Sequence, residues 1–182
     1  MDLQSKIILI SGPTASGKSN FATYLAQKVK GEVINADSMQ VYKEIKILNA
    51  RPNKSEQKKI KHHLYGFISI KKKFSTGQWL KHATKKINQI LKKNKTPIIV
   101  GGTGLYFKAL IDGLVKIPKI SEKKRKLVSK LQKKLGQKKF YQKLVKIDPN
   151  VVTTINSNDF QRSIRAYEVK KFTKKSLVEW YK

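Results

Sequence analysis

Cysteine is absent from all 182 residues. A chain without it has no disulfide framework, no thiolate nucleophile and no cysteine zinc site, and it suits a reducing, cytoplasmic compartment. Acidic residues are scarce as well: 11 Asp and Glu stand against 41 Lys and Arg, for a formal net charge of +30. A field of that size draws polyanions, and nucleic acid is the commonest polyanion in a cell. Long apolar runs are missing too. The stretch near the N-terminus, Ile7-Ile8-Leu9-Ile10, is only four residues long, too short for a signal-peptide core or a membrane span. No long helix sets aromatic residues against lysines in the manner of a membrane-surface protein. What remains, 39% hydrophobic residues, is enough for one real core, with or without an appendage.

The apolar residues fall into alternating periods. Lys6 to Ser11 has the continuous apolar text of a strand buried on both faces of a parallel sheet. A helix follows from Lys18, with Phe21, Leu25, Ala26 and Val29 as its apolar stripe, ending before Gly31. Gly31 to Ala36 reads as a second strand ending at Asp37, Arg51 to Lys61 as a polar loop, and His62 to Ile70 as an extended return. Trp79, Ala83, Ile87, Ile90 and Leu91 predict a helix ending near Asn94, and Thr96 to Val100 a further buried strand. Such alternation indicates an α/β fold: a P-loop-type parallel sheet flanked by helices, with ligands at the carboxyl ends of the strands. From Ile117 the text turns Lys-rich and helical, over Ser121 to Gln137, Phe140 to Ile147 and Asp159 to Glu168. The division expected is a catalytic core over 1–116 and a basic helical appendage over 117–182.

Three motifs lie at strand ends. Gly12-Pro13-Thr14-Ala15-Ser16-Gly17-Lys18-Ser19 is a complete G-x-x-x-x-G-K-S loop between a strand and a helix. Its backbone N–H groups and the helix N-terminus suit phosphate oxygens, Lys18 adds a point charge, and the Ser19 hydroxyl suits Mg²⁺. Kinases, nucleotide hydrolases and transferases holding a diphosphate leaving group all use this cradle. Asp37, before Ser38, Met39 and Gln40, is placed to ligate Mg²⁺ through water, to accept a proton from a nucleophile, or to cap a helix. Gly101-Gly102-Thr103-Gly104 is either a second anion-binding turn, with the Thr103 hydroxyl aimed into the same crevice, or a turn that needs glycine for packing. His62 and His63 are adjacent and share no face, so no metal role is assigned to them. Tyr65, Phe67, Phe74 and Trp79 are read as core aromatics.

Taken with Ala50-Arg51-Pro52, His62-His63-Leu64 and the run from Asp159 to Glu168, these motifs resemble, in order and along nearly the whole chain, the tRNA dimethylallyltransferase (tRNA isopentenyltransferase) family. The resemblance implies transfer of a dimethylallyl group from dimethylallyl diphosphate to N6 of the adenine beside the anticodon of tRNA. It implies Asp37 and Thr103 as catalytic residues, the former at adenine N6 and the latter at the bridging oxygen of the departing diphosphate. Gly12, Pro13, Thr14, Ala15, Ser16, Gly17, Lys18 and Ser19 would hold the diphosphate, with Ser19 on Mg²⁺. Asp37, Ser38, Met39, Gln40, Thr103, Arg125, Gln161, Arg162, Ser163, Ile164 and Arg165 would contact tRNA at its anticodon stem-loop. The enzyme expected is a cytoplasmic monomer without membrane contact. Family members continue beyond the last motif, with a donor-binding Arg there, so a shortened chain is expected. Tyr167 stands where the family usually has Leu. The alternatives are a small-molecule P-loop kinase using ATP and a non-catalytic RNA-binding fragment.

Overall fold

Four strands, β1 (Ile8–Ser11), β2 (Gly31–Asn35), β3 (His62–His63) and β4 (Thr96–Gly101), form one parallel sheet in the order β1-β4-β2-β3. The computed structural model describes residues 6–45, 51–52 and 59–181. Ala50 and most of the expected loop over Arg51 to Lys61 lie outside the described residues. The chain folds as two compact units, a sheet unit over Met1–Leu114 and a helical unit over Val115–Lys182.

The two central strands, β2 and β4, are buried at every residue, as strands covered on both faces must be. Val33 lies opposite Ile98 and Ile34 opposite Ile99. Because side chains alternate along a strand, Val33, Ile98 and Val100 pack against Ala22 and Ala26 of helix α1 (Lys18–Lys28). On the other face Ile34 and Ile99 meet Trp79, Ala83, Ile87 and Ile90 of α2 (Thr76–Leu91). Tyr106 and Phe107 of α3 (Gly104–Asp112) join that cluster. A reciprocal cap between Ser75 and Gln78 starts α2, and the chain leaves it through Asn94 at φ 54°.

One expectation for this unit is corrected. Phe21 is exposed and Ala22 takes the inward position on α1, while Leu25, Ala26 and Val29 pack on the sheet side as expected. At Ala26 the approach is close: a Cβ added at Gly31 would stand 3.4 Å from the Ala26 Cα, which suits a small residue there. Among the described residues β1 pairs with β4 alone; Ile8 and Ile10 join the cluster under α1, and Ile7 and Leu9 lie on the other face.

The helical unit consists of α4 (Glu122–Ile147), a 3₁₀ turn (Pro149–Thr153), α5 (Phe160–Thr173) and α6 (Leu177–Trp180). The range α4 holds the two helices expected over Ser121 to Gln137 and Phe140 to Ile147, and the break between them lies at Gly136, whose φ 71° and ψ 167° suit glycine alone. Phe140 and Leu144 pack with Val151, Ile155, Ala166, Val169 and Leu177. Tyr167 is buried against Phe140, ring centroids 5.1 Å apart, so its larger ring is accommodated in the core. Trp180 packs on the same cluster, and its indole N–H donates to Thr173 Oγ1 at 3.3 Å. No helix among the described residues is long and apolar enough to cross a membrane.

Candidate functional site

The carboxyl ends of the sheet strands open on a cavity of about 450 Å³. Its lining brings together Thr14, Ala15, Ser16, Gly17, Lys18 and Ser19 of the loop after β1 with Asp37, Met39 and Gln40 of the turn after β2. Gly12 and Pro13 are not among the lining residues. The loop's shape comes from two left-handed residues, Ala15 at φ 62° and Gly17 at φ 78°. Gly17 is the N-cap of α1 and brings no side-chain cap, so the first N–H groups of that helix lack intrahelical acceptors and are suited to an anion. Within the loop, the Ser16 hydroxyl donates to the Pro13 carbonyl at 2.9 Å. The Lys18 ammonium donates to the same carbonyl and contacts Ser16 Oγ at 3.4 Å.

Asp37 caps a turn, and no helix follows it. Its Oδ1 accepts the Met39 N–H at 2.8 Å and the Gln40 N–H at 3.4 Å. This fixes the carboxylate and leaves Oδ2 outside those two bonds. Behind the turn stands Asn35, fully buried at the end of β2. Its Nδ2 donates to the carbonyls of Asp37 at 3.0 Å and Leu64 at 3.1 Å, and its Oδ1 accepts the Asp37 N–H at 2.9 Å. The Trp79 indole N–H donates to the Asn35 carbonyl at 2.8 Å. One amide thus ties together β2, the Asp37 turn and the segment leaving β3. Tyr106 stacks on Trp79, centroids 4.3 Å apart, and its hydroxyl is pushed up to about 12 by burial and then by the nearby Tyr42 and Asp37.

Thr103 is engaged with this turn and does not line the cavity, which corrects the expectation that its hydroxyl points into the crevice. Thr103 Oγ1 accepts the Ser38 N–H at 2.9 Å and donates to Ser38 Oγ at 3.3 Å, while the Thr103 N–H donates to the Ala36 carbonyl at 3.2 Å. Gly101 has a packing reason: an added Cβ would fall 2.2 Å from the Ala36 carbonyl, so strands β2 and β4 close together only over glycine. Tyr65, read from sequence as a core residue, lines the cavity together with Pro52 and Asn20. An aromatic side chain reads alike in a core and in a cavity wall, and the buried amide of Asn35 belongs to no motif, so neither role is legible in the sequence alone.

At the opposite end of β2, Glu32 is 2% exposed and accepts from His63 Nε2 at 2.6 Å and from Lys95 Nζ at 3.0 Å. Burial alone would raise the Glu32 carboxyl, but hydrogen bonds from His63 and Lys95 outweigh it and hold the group below its ordinary value. Burial lowers the His63 imidazole despite the carboxylate beside it. Among the described residues no group of His, Cys, Asp and Glu could by itself hold a metal ion.

In the helical unit, Gln161 and Arg162 are exposed at the start of α5, where the Asp159 carboxylate caps the Arg162 N–H at 2.9 Å. Ser163 has no exposed surface. Its hydroxyl donates to the Asp159 carbonyl at 2.6 Å, and Gln137 Nε2 approaches it at 3.3 Å. Ile164 packs on the core of the unit. Burial commits the Ser163 side chain to helix packing, whereas Ile164 is only partly buried. Arg125 and Arg165, forty positions apart, meet at one carboxylate, Glu168, with N to Oε2 distances of 3.8 and 3.5 Å.

Residues 40–182 match the family model described as IPP transferase. The chain belongs to that family. Two tRNA dimethylallyltransferases are among its IPP transferase relatives. That of Pelagibacter ubique is 66% identical over 99% of this chain and 58% of its own length. That of Rickettsia massiliae is 50% identical over 97% of this chain and 49% of its own. Among solved structures, a eukaryotic dimethylallyltransferase described as acting on tRNA superposes with a TM-score of 0.81 at 32% identity, covering 97% of this chain and 44% of that one. The full-length tRNA isopentenylpyrophosphate transferase of Bacillus halodurans gives 0.60 at 36% identity, covering 93% and 56%. This IPP transferase chain spans about half the length of the relatives it matches.

Proposed function

We propose that this chain carries the donor cradle and acceptor base of a tRNA dimethylallyltransferase, joining a dimethylallyl group to N6 of the adenine beside the anticodon. The observation that carries the reading is the single cavity lined by both Lys18 and Ser19 of the phosphate loop and the carboxylate residue Asp37. In this reading the loop N–H groups, Lys18 and Ser19 bind the diphosphate. The donor C1–O bond breaks as C1 bonds to N6; the pair of electrons leaves with the diphosphate, and the N6 proton passes to Asp37. Asn35 and Thr103 fix the turn that presents Asp37. An adenine amine stacked in an RNA loop is inaccessible, so the base must be splayed into the cavity. Met39 and Gln40, on the cavity wall, are suited to contact it.

A Mg²⁺ ion fits the oxygen donor present. Ser19 offers a hydroxyl, one protein ligand of the kind Mg²⁺ accepts when substrate phosphates and water complete its octahedron. When bound it would neutralise charge on the leaving diphosphate. The basic helical surface supplies attraction to the tRNA stem, with Gln161, Arg162, Arg125 and Arg165 as its contacts. The test is transfer of labelled dimethylallyl to an anticodon stem-loop by wild type and Asp37→Ala. The substitution should lower turnover on the order of 10²-fold or more while sparing donor affinity. Near-normal transfer would remove Asp37 from its role.

A further inference from the structure

Glu168 is the feature that this function leaves unused. It is 5% exposed, whereas its two partners reach outward: the Arg125 side chain is 45% exposed and that of Arg165 35%. The two arginines come from different helices, α4 and α5, and both approach the same oxygen, Oε2, at 3.8 and 3.5 Å. A chain of net charge +30 has no need of two further cations for general attraction, and a buried carboxylate reduces that attraction. What a carboxylate does supply is direction. A guanidinium carries five donors in a rigid plane, so one edge of each can meet Glu168 and leave the other edges facing solvent at a fixed separation.

Resting on the proposal that the helical unit contacts RNA, we infer that Glu168 is the positioning residue of a two-arginine fork that takes a phosphodiester of the RNA backbone. The fork is pre-formed by the carboxylate, so binding does not have to order two long side chains. Lysines elsewhere on the unit are point charges that follow phosphates loosely. The fork sets register, because bidentate guanidinium contacts require the oxygen at a defined place. Charge and geometry then predict effects of opposite sign. Removing the carboxylate adds one net positive charge and by attraction alone should tighten binding of any polyanion; as a positioning residue its loss should loosen the binding of structured RNA.

The experiment measures fluorescence anisotropy of the 182-residue chain with a labelled anticodon stem-loop RNA and, separately, with heparin, over a range of salt. Variants are Glu168→Gln, Arg165→Lys, which keeps charge but loses the planar fork, and the double Arg125→Ala/Arg165→Ala. Thermal unfolding of each is followed by circular dichroism. Glu168→Gln should weaken hairpin binding by about tenfold, the scale of a misplaced charge-assisted contact, with heparin affinity equal or higher. Arg165→Lys should weaken the hairpin similarly, which keeps the inference testable if Glu168→Gln unfolds. Hairpin affinity unchanged or raised in both, with the double variant weakened, would overturn the inference and leave RNA contact by the unit intact. An unchanged double variant would overturn the RNA reading and the inference with it.

Discussion

In the proposed function, the sheet unit and the helical unit bind an anion in different ways. In the sheet unit, charge is secondary. The Asp37 turn is held by the buried amide of Asn35, whose own carbonyl takes the Trp79 indole N–H, and the phosphate loop by bonds from Ser16 and Lys18 to the Pro13 carbonyl, so what they offer is chiefly oriented N–H groups and one fixed carboxylate. In the helical unit, about half of all Lys and Arg residues occupy little more than a third of the chain, and the groups on offer are side chains on exposed helix faces. The difference teaches that a site of the first kind is inseparable from stability, while a site of the second kind can be altered with little cost to the fold.

The largest effect that would sharpen this contrast is on Trp79. It is fully buried between the sheet and Tyr106, and Trp79→Ala should cost about 3–5 kcal/mol, read as a lower urea midpoint. Amide exchange in β2 and β4 should accelerate with it. Next comes Asn35→Ala, which leaves the carbonyls of Asp37 and Leu64 without their buried donor. A loss of about 1–3 kcal/mol is expected, together with weaker donor binding, since the same bonds shape the cavity wall. If stability fell and donor binding did not, the Asp37 turn would be independent of the core.

Acid should act on the sheet unit through Glu32 and His63. Both groups lie below their ordinary values, 4.5 and 6.5, so the folded state binds their protons less readily than the unfolded chain. Their contribution to stability is complete above about 6.5 and is lost as pH falls, first through the His63 range and then through that of Glu32. Glu32→Gln should flatten the Glu32 part of a plot of urea midpoint against pH and steepen the His63 part, because the carboxylate that opposes the lowering of His63 is gone. An unchanged His63 part in the variant would contradict the pairing. The smallest stability effect belongs to Arg162, whose ion pair with Asp159 is exposed at 3.4 Å. Arg162→Ala should change stability by less than about 1 kcal/mol yet reduce the salt dependence of RNA binding by about one unit of slope.

How much could be read beforehand follows the same division. The buried strands Gly31–Asn35 and Thr96–Gly101 and the helix carrying Trp79, Ala83, Ile87 and Ile90 were legible because a continuous apolar run or a 3.6-residue period reports burial directly. The phosphate loop was legible because its spacing follows from backbone geometry. Phe21 misled because a 3.6-residue period does not say which of two adjacent apolar residues, Phe21 or Ala22, turns inward. Asn35, Tyr65 and Glu168 escaped for another reason: each acts through partners distant in sequence, and only folding brings Leu64 to Asn35 or Arg125 to Glu168.

The most direct test of the account is calorimetric titration of the folded chain, in Mg²⁺, with dimethylallyl diphosphate and separately with ATP, for wild type and Lys18→Ala. The account predicts clear preference for the allylic diphosphate and at least about a tenfold loss of affinity in Lys18→Ala, the scale of a charge-assisted phosphate contact. Preference for ATP would make the cavity that of a kinase, and a Lys18→Ala variant binding the allylic donor as tightly as wild type would contradict the placement of the diphosphate in the loop.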